Sequence, residues 1–134
     1  MAKYHKYVFD TENRKFIGKF EEMYQNESKE IFDSWHQEDS RQIQRRFDLA
    51  VLEDYNFQSI VDVGCGKGAF THLFKKKNNV VIGIDISKTA IKIAKERYPD
   101  IDFICIDILK ISDFDNLLKN IGNQMGGGRI NLLQ

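Results

Sequence analysis

The stretch Asp62-Val63-Gly64-Cys65-Gly66-Lys67-Gly68 constrains this chain more than any other. It follows the apolar pair Ile60-Val61 and precedes Ala69-Phe70, so it reads as a buried strand running through a glycine turn into a helix. Glycines at alternate positions suit a backbone that takes positive φ or lies against a ligand. A helix starting just past such a turn offers unpaired N–H groups to a polar or anionic group. The turn is therefore read as a cradle for a nucleoside-type cofactor.

Downstream, strands and helices alternate. Residues 59–63 form the first strand. The helix after the turn uses Phe70, Leu73 and Phe74 and ends in Lys75-Lys76-Lys77, where cations favour the helix dipole. Residues 80–84 form the second strand, closed by Asp85. Ser87 caps a helix over 88–97 whose Ala90, Ile91, Ile93 and Ala94 face the sheet, and Tyr98-Pro99-Asp100 stops it. Residues 101–106 form the third strand, followed by Asp107. Ser112-Asp113-Phe114-Asp115 has the pattern of a capping box for a last helix, with Gly122 as its C-cap. This βαβαβα order predicts an α/β fold with a Rossmann-like open parallel sheet. The uninterrupted apolar strands agree, because parallel strands are buried on both faces.

Upstream, residues 1–15 read as a loose arm. Phe16, Ile17, Phe20, Met23 and Tyr24 recur at helical spacing, residues 25–29 are a polar break, and Ile31, Phe32 and Trp35 suggest a second short helix. Asp39 and Ser40 offer caps for a helix over 41–53, with Ile43, Phe47, Ala50 and Val51 on one stripe. Arg41, Arg45 and Arg46 lie off that stripe, as a solvated face or as contacts for an anionic substrate. The chain divides into a cap (1–55), a cofactor-binding core (56–121) and a glycine-rich tail (122–134). Residues 129–134 of the tail read as a fourth strand or a frayed end.

Composition narrows the partners. Lys plus Arg equals Asp plus Glu, 20 each, which gives no push toward nucleic acid or an anionic membrane. Cys65 and Cys105 show no metal-ligand spacing and read as small buried residues in a reducing cytoplasm. The N-terminus has no signal-peptide core, and no apolar run approaches the roughly 20 residues of a membrane span. A cytoplasmic protein with no metal, no nucleic acid and no membrane partner is expected.

Three acids stand in equivalent places: Asp62 near the end of strand one, Asp85 at the end of strand two, Asp107 after strand three. Each alone could be a capping residue. Together they converge on the carboxyl edge of the sheet, where open α/β folds bind ligands. Asp85 is placed to accept hydrogen bonds from ribose hydroxyls.

These residues carry a resemblance. Asp62-Val63-Gly64-Cys65-Gly66-Lys67-Gly68 is similar to the first motif of class I S-adenosylmethionine-dependent methyltransferases. Gly83-Ile84-Asp85-Ile86-Ser87 resembles their second motif, and Cys105-Ile106-Asp107-Ile108 their third. The resemblance implies that the 64–68 turn packs against the methionine part and ribose of S-adenosylmethionine. It implies that Asp62 helps hold the amino-acid end, that Asp85 takes the ribose hydroxyls, and that Asp107 meets the adenine amino group between Ile86 and Ile108. Phe20-Glu21-Glu22-Met23-Tyr24 resembles the family's cap segment, which would bring Tyr24, Trp35 and His36 over cofactor or substrate.

The implied activity is methyl transfer to a small-molecule or glycan-type acceptor, with no residue assigned as catalytic base. Two other readings stay open. Gly64, Gly66 and Ala69 also satisfy GxGxxG/A, the pattern of an NAD- or FAD-binding domain, although Asp62 stands where that pattern is apolar. The family's sheet has seven strands and this chain supplies three or four, so a truncated, non-catalytic fragment is the other alternative. Self-association or a partner chain would then cover the open sheet edge.

Overall fold

A computed structural model describes residues 2–124 and 131–133. In chain order the regular elements are α1 (His5–Val8), β1 (Phe9–Asp10), β2 (Lys15–Phe16), α2 (Phe20–Glu30), α3 (Ile43–Glu53), β3 (Ser59–Val63), β4 (Val80–Asp85), α4 (Lys88–Arg97), β5 (Asp102–Cys105), α5 (Ile111–Gln124) and β6 (Asn131–Leu133). Single 3₁₀ turns lie at Ser34–His36 and Thr71–Phe74.

The main sheet is wholly parallel in the order β5-β4-β3-β6. In register, Val61 sits beside Ile82 and Asp62 beside Gly83. The apolar strands are buried on both faces, as covered parallel strands must be. On one face Ile60, Val81, Ile91, Ala94, Ile101 and Phe103 form a core, and on the other Val61, Ile82 and Ile84 pack with Leu117 of α5. Ser87 caps α4 through its own Oγ, which accepts from the Ala90 N–H at 3.1 Å.

Several local expectations change. The segment after the glycine turn is one 3₁₀ turn, because Asn79 closes the chain back early. Its side chain donates to the Phe74 carbonyl and accepts from the Lys76 N–H, both at 2.7 Å. Residues 25–29 continue α2, which runs to Glu30 and ends at Ile31 in the left-handed region (φ 54°). The arm expected over residues 1–15 is tied down from residue 2 on: Tyr4, Tyr7 and Val8 are buried with Met23 and Tyr24. Asp39 binds the Arg41 N–H and side chain, and α3 begins later, at Ile43, after Gln42. The α3 stripe faces solvent, with only Leu49 and Leu52 turned to the core. Cys105 is exposed, unlike the buried Cys65, because β5 is an edge strand. Helix α5 begins at Ile111, before the predicted capping box, and passes through Gly122. The glycine run Gly126-Gly127-Gly128 lies outside the described residues, whereas β6 pairs with β3.

Candidate functional site

All four strands run the same way, so their carboxyl ends share one edge, and the predicted motifs meet there. β3 delivers Asp62 and the 64–68 turn, β4 delivers Asp85 and Ile86, and the chain leaving β5 delivers Asp107 and Ile108. Of these, Asp62, Gly64, Cys65, Asp85, Ile86, Asp107 and Ile108 line one open cavity of about 820 Å³, within the usual range for small-molecule sites. Val63, Gly64 and Cys65 form its floor with Ile84. The cap also lines it, through Phe16, Phe20, Tyr24, Trp35, Gln37, Gln42, Gln44, Arg45 and Asp48.

The turn takes its shape from the three glycines, which all have positive φ: 76°, 54° and 78° at 64, 66 and 68. Gly64 and Cys65 donate their N–H groups to the Ile84 carbonyl, 2.9 and 3.0 Å, which pins the turn to β4. Gly66 lies under the cap: a β-carbon there would come within 2.6 Å of the Tyr24 hydroxyl and the Gln37 amide oxygen. Gly83 matters for a different reason, since its missing side chain lets the Phe103 ring and the Cys65 sulfur pack over β4.

Each acid has a distinct environment. Asp62 is buried and accepts a 2.6 Å hydrogen bond from the Thr71 hydroxyl. Burial raises its pKa to about 6, against the pull of that hydrogen bond. Asp85 accepts from the Gly66 N–H and the Ser87 N–H, each at 2.9 Å. Burial also lifts its pKa above the ordinary value, while the backbone donors oppose the rise. A carboxylate has about four lone-pair sites, so Asp85 keeps acceptor capacity toward the cavity. Asp107 is half-buried, and one of its oxygens accepts from the Leu109 N–H at 3.0 Å. Beside the acids, Ile86 and Ile108 expose apolar surface to the cavity. This set of carboxylate acceptors beside apolar surface suits a ligand that carries hydroxyl or amino donors next to an apolar group.

The structure separates the remaining sequence candidates. Gly66, Lys67 and Gly68 do not line the cavity. The Lys67 ammonium points away, into a buried cluster with Glu27 (3.0 Å), Asp33 (3.2 Å) and Glu38 (3.4 Å). Gly68 packs against the Phe103 and Tyr98 rings. Tyr24 and Trp35 line the cavity, but His36 is exposed and turned toward Tyr4. The buried Tyr24 hydroxyl accepts from the Gln37 side chain at 2.7 Å, and burial, then the nearby Asp85 charge, pushes its pKa up.

Three contributors are not singled out from the sequence, and a fourth, Arg45, reads there as part of a solvated face or as a contact for an anionic substrate. Thr71 fixes Asp62. Gln37 links Tyr24 to the Lys67 N–H, from which it accepts at 3.0 Å. Glu21 accepts from the Ser87 hydroxyl, the Thr89 N–H and the Thr89 hydroxyl, joining α2 to α4. Although burial acts to raise its pKa, these donors bring it down to about 2. Arg45 is no solvated residue: its guanidinium donates to the Gln37 and Ala69 carbonyls and lies over the Phe70 ring. Glu21 lies inside the cap segment that the sequence marked; Gln37 gave no signal at all.

Fold and site together define an α/β domain with its cleft at the carboxyl edge of a parallel sheet. Residues 60–120 match the family model of the methyltransferase domain. That match spans a little under half of the chain and takes in the glycine turn and all three acids. The chain is 43% identical over 62 residues to the 235L protein of Invertebrate iridescent virus 6, which carries a provisional methyltransferase name; the match covers 45% of this chain and 23% of that protein. It is 38% identical over 69 residues to a trans-aconitate 2-methyltransferase of Afipia carboxidovorans, covering 50% of this chain and 27% of the relative. Among solved structures it resembles an S-adenosylmethionine-dependent methyltransferase from Anabaena variabilis, with a TM-score of 0.50 and 25% identity over 67% of this chain and 37% of that one. The chain thus spans about a quarter of the length of the curated relatives it matches. Among the described residues no helix is long and apolar enough to cross a membrane.

Proposed function

We propose that this chain binds S-adenosylmethionine in the carboxyl-edge cavity and serves methyl transfer to a small-molecule or glycan-type acceptor. The observation that carries this reading is the convergence of Asp62, Asp85 and Asp107 with the glycine turn on one cavity, inside the segment matched by the family model. Asp85 would hold the ribose hydroxyls, Asp107 the adenine amino group between Ile86 and Ile108, and Asp62 the amino-acid end. When bound, the cofactor supplies an activated methyl group on a good leaving group. The chain's own residues then act by holding, orienting and drying the reacting groups. Tyr24 and Gln37 close over the turn, while Trp35, Gln42, Gln44 and Arg45 form the side of the cavity left for an acceptor. The exposed thiol of Cys105 suits a reducing compartment, and we infer a cytoplasmic location.

Calorimetric titration with S-adenosylhomocysteine tests the reading. The wild-type chain is expected to bind and Asp85→Ala to lose at least tenfold in affinity. Tight binding of NAD(H) with none of S-adenosylhomocysteine would sink it. A second reading, cofactor binding without turnover by this chain alone, is favoured by its short span relative to the curated relatives. Methyl-transfer assays on the 134-residue chain beside a seven-strand version separate the two.

A further inference from the structure

Helix α3 is apolar on two faces. Its inner face packs Leu49 and Leu52 against the sheet core. Its outer face turns Ile43 (83% exposed), Phe47 (63%) and Val51 (50%) to solvent, with Ala50 between them. The spacing i, i+4, i+7, i+8 makes this one continuous stripe. A folded chain gains nothing from holding such a row in water, and the row lies outside the cofactor cavity.

The charges beside the stripe say what fits it. At about 100° per residue, Arg46 and Glu53 fall on the same flank, roughly two turns apart. Neither side chain makes an ion pair or hydrogen bond among the described residues. They also run against the helix dipole: α3 has no acid in its first turn and no base in its last. An antiparallel copy of the same helix resolves both features. Matching flanks of two antiparallel helices face each other, so Arg46 of each copy meets Glu53 of the other, and the dipoles lie head to tail. A groove of about 580 Å³ on that flank, lined by Leu49, Tyr55, Phe57 and Leu73, gives the copy's aromatic side chains a place to insert.

We propose that α3 is a self-association face, pairing antiparallel with α3 of a second copy across a two-fold axis. The balanced charge of the flank favours a second copy over an anionic lipid surface, which would call for cations alone. An 11-residue helix is about 16 Å long. That is short for the roughly 800 Å² per partner of a standard interface, so the dimer is weak and concentration-dependent.

Sedimentation velocity of the full chain across a wide concentration range tests this. The wild type is expected to shift from monomer to dimer. Arg46→Glu and Glu53→Arg, which set like charges together, should each weaken association at least tenfold, and the double variant should restore it. Phe47→Gln should abolish it. Circular dichroism and S-adenosylhomocysteine titration should be unchanged in all of them, since none of these residues lines the cofactor cavity. A chain that stays monomeric throughout overturns the proposal. So does a dimer indifferent to the single reversals, or a double variant that fails to recover. Binding of the wild type to phosphatidylcholine–phosphatidylserine vesicles without self-association would assign the face to lipid and overturn it equally.

Discussion

Asp62 is the residue on which chemistry and stability pull in opposite directions. Its carboxyl is buried, has one strong donor in Thr71, and titrates near pH 6. The folded chain therefore holds that proton more tightly than the unfolded chain does. Stability from this group is fully present below about pH 4 and is lost as pH rises through 6, about 3 kcal/mol in all. Asp62→Asn keeps an acceptor for Thr71 and removes the titration. Urea unfolding between pH 4 and 7 should show a flatter pH profile for the variant than for the wild type; parallel profiles would contradict the burial argument. At this scale the sequence was informative where a residue's role is local. Asp62, Asp85 and Asp107 are placed by strand ends, and strand ends can be read from apolar runs. Thr71, Gln37 and Arg45 are defined by partners 8 to 30 positions away, and no periodicity records such pairings.

The cap elements are held to the sheet edge by polar contacts as much as by apolar ones. Glu21 joins α2 to the start of α4, and Lys67 joins the glycine turn to α2 and to the loop carrying Asp33 and Glu38. The Lys67 side chain is 5% exposed. Its charge resists burial, but Glu27 and Asp33 more than offset this and raise its pKa. Lys67→Met keeps the length of the stem and strands the carboxylates without a counter-charge. A loss of about 3–5 kcal/mol in unfolding free energy is expected. Affinity for S-adenosylhomocysteine should fall with it, because Tyr24 and Gln37 ride on the same segment. The sequence reads Lys67 as a cofactor contact because it sits inside the glycine motif; the structure gives its backbone to the turn and its side chain to the cap. The elements β3, β4, α4 and β5 were legible because each satisfies its own period and its own caps. The cap was poorly legible because its helices are short, and its ends are set by left-handed residues such as Ile31 and Trp35 that no turn rule favours.

Across the whole molecule, the strand order decides where strength lies. β3 and β4 each have a neighbour on both sides, whereas β5 has one. The two interior strands carry Asp62 and Asp85. Amide hydrogen exchange should therefore be slowest along residues 60–63 and 81–84, and fast in β5, in the short ribbon of β1 and β2, and in α3. Equal protection across the sheet would refute this ordering. The position of Gly83 sharpens the point. By giving up its side chain it lets a phenyl ring and a thiol cross the strand, so the centre of the sheet is clamped from above as well as from the sides. As the chain is warmed, the strands that carry Asp62 and Asp85 outlast the cap elements that close around them. Such a molecule lets go of its ligand by opening its walls, long before its foundation gives way.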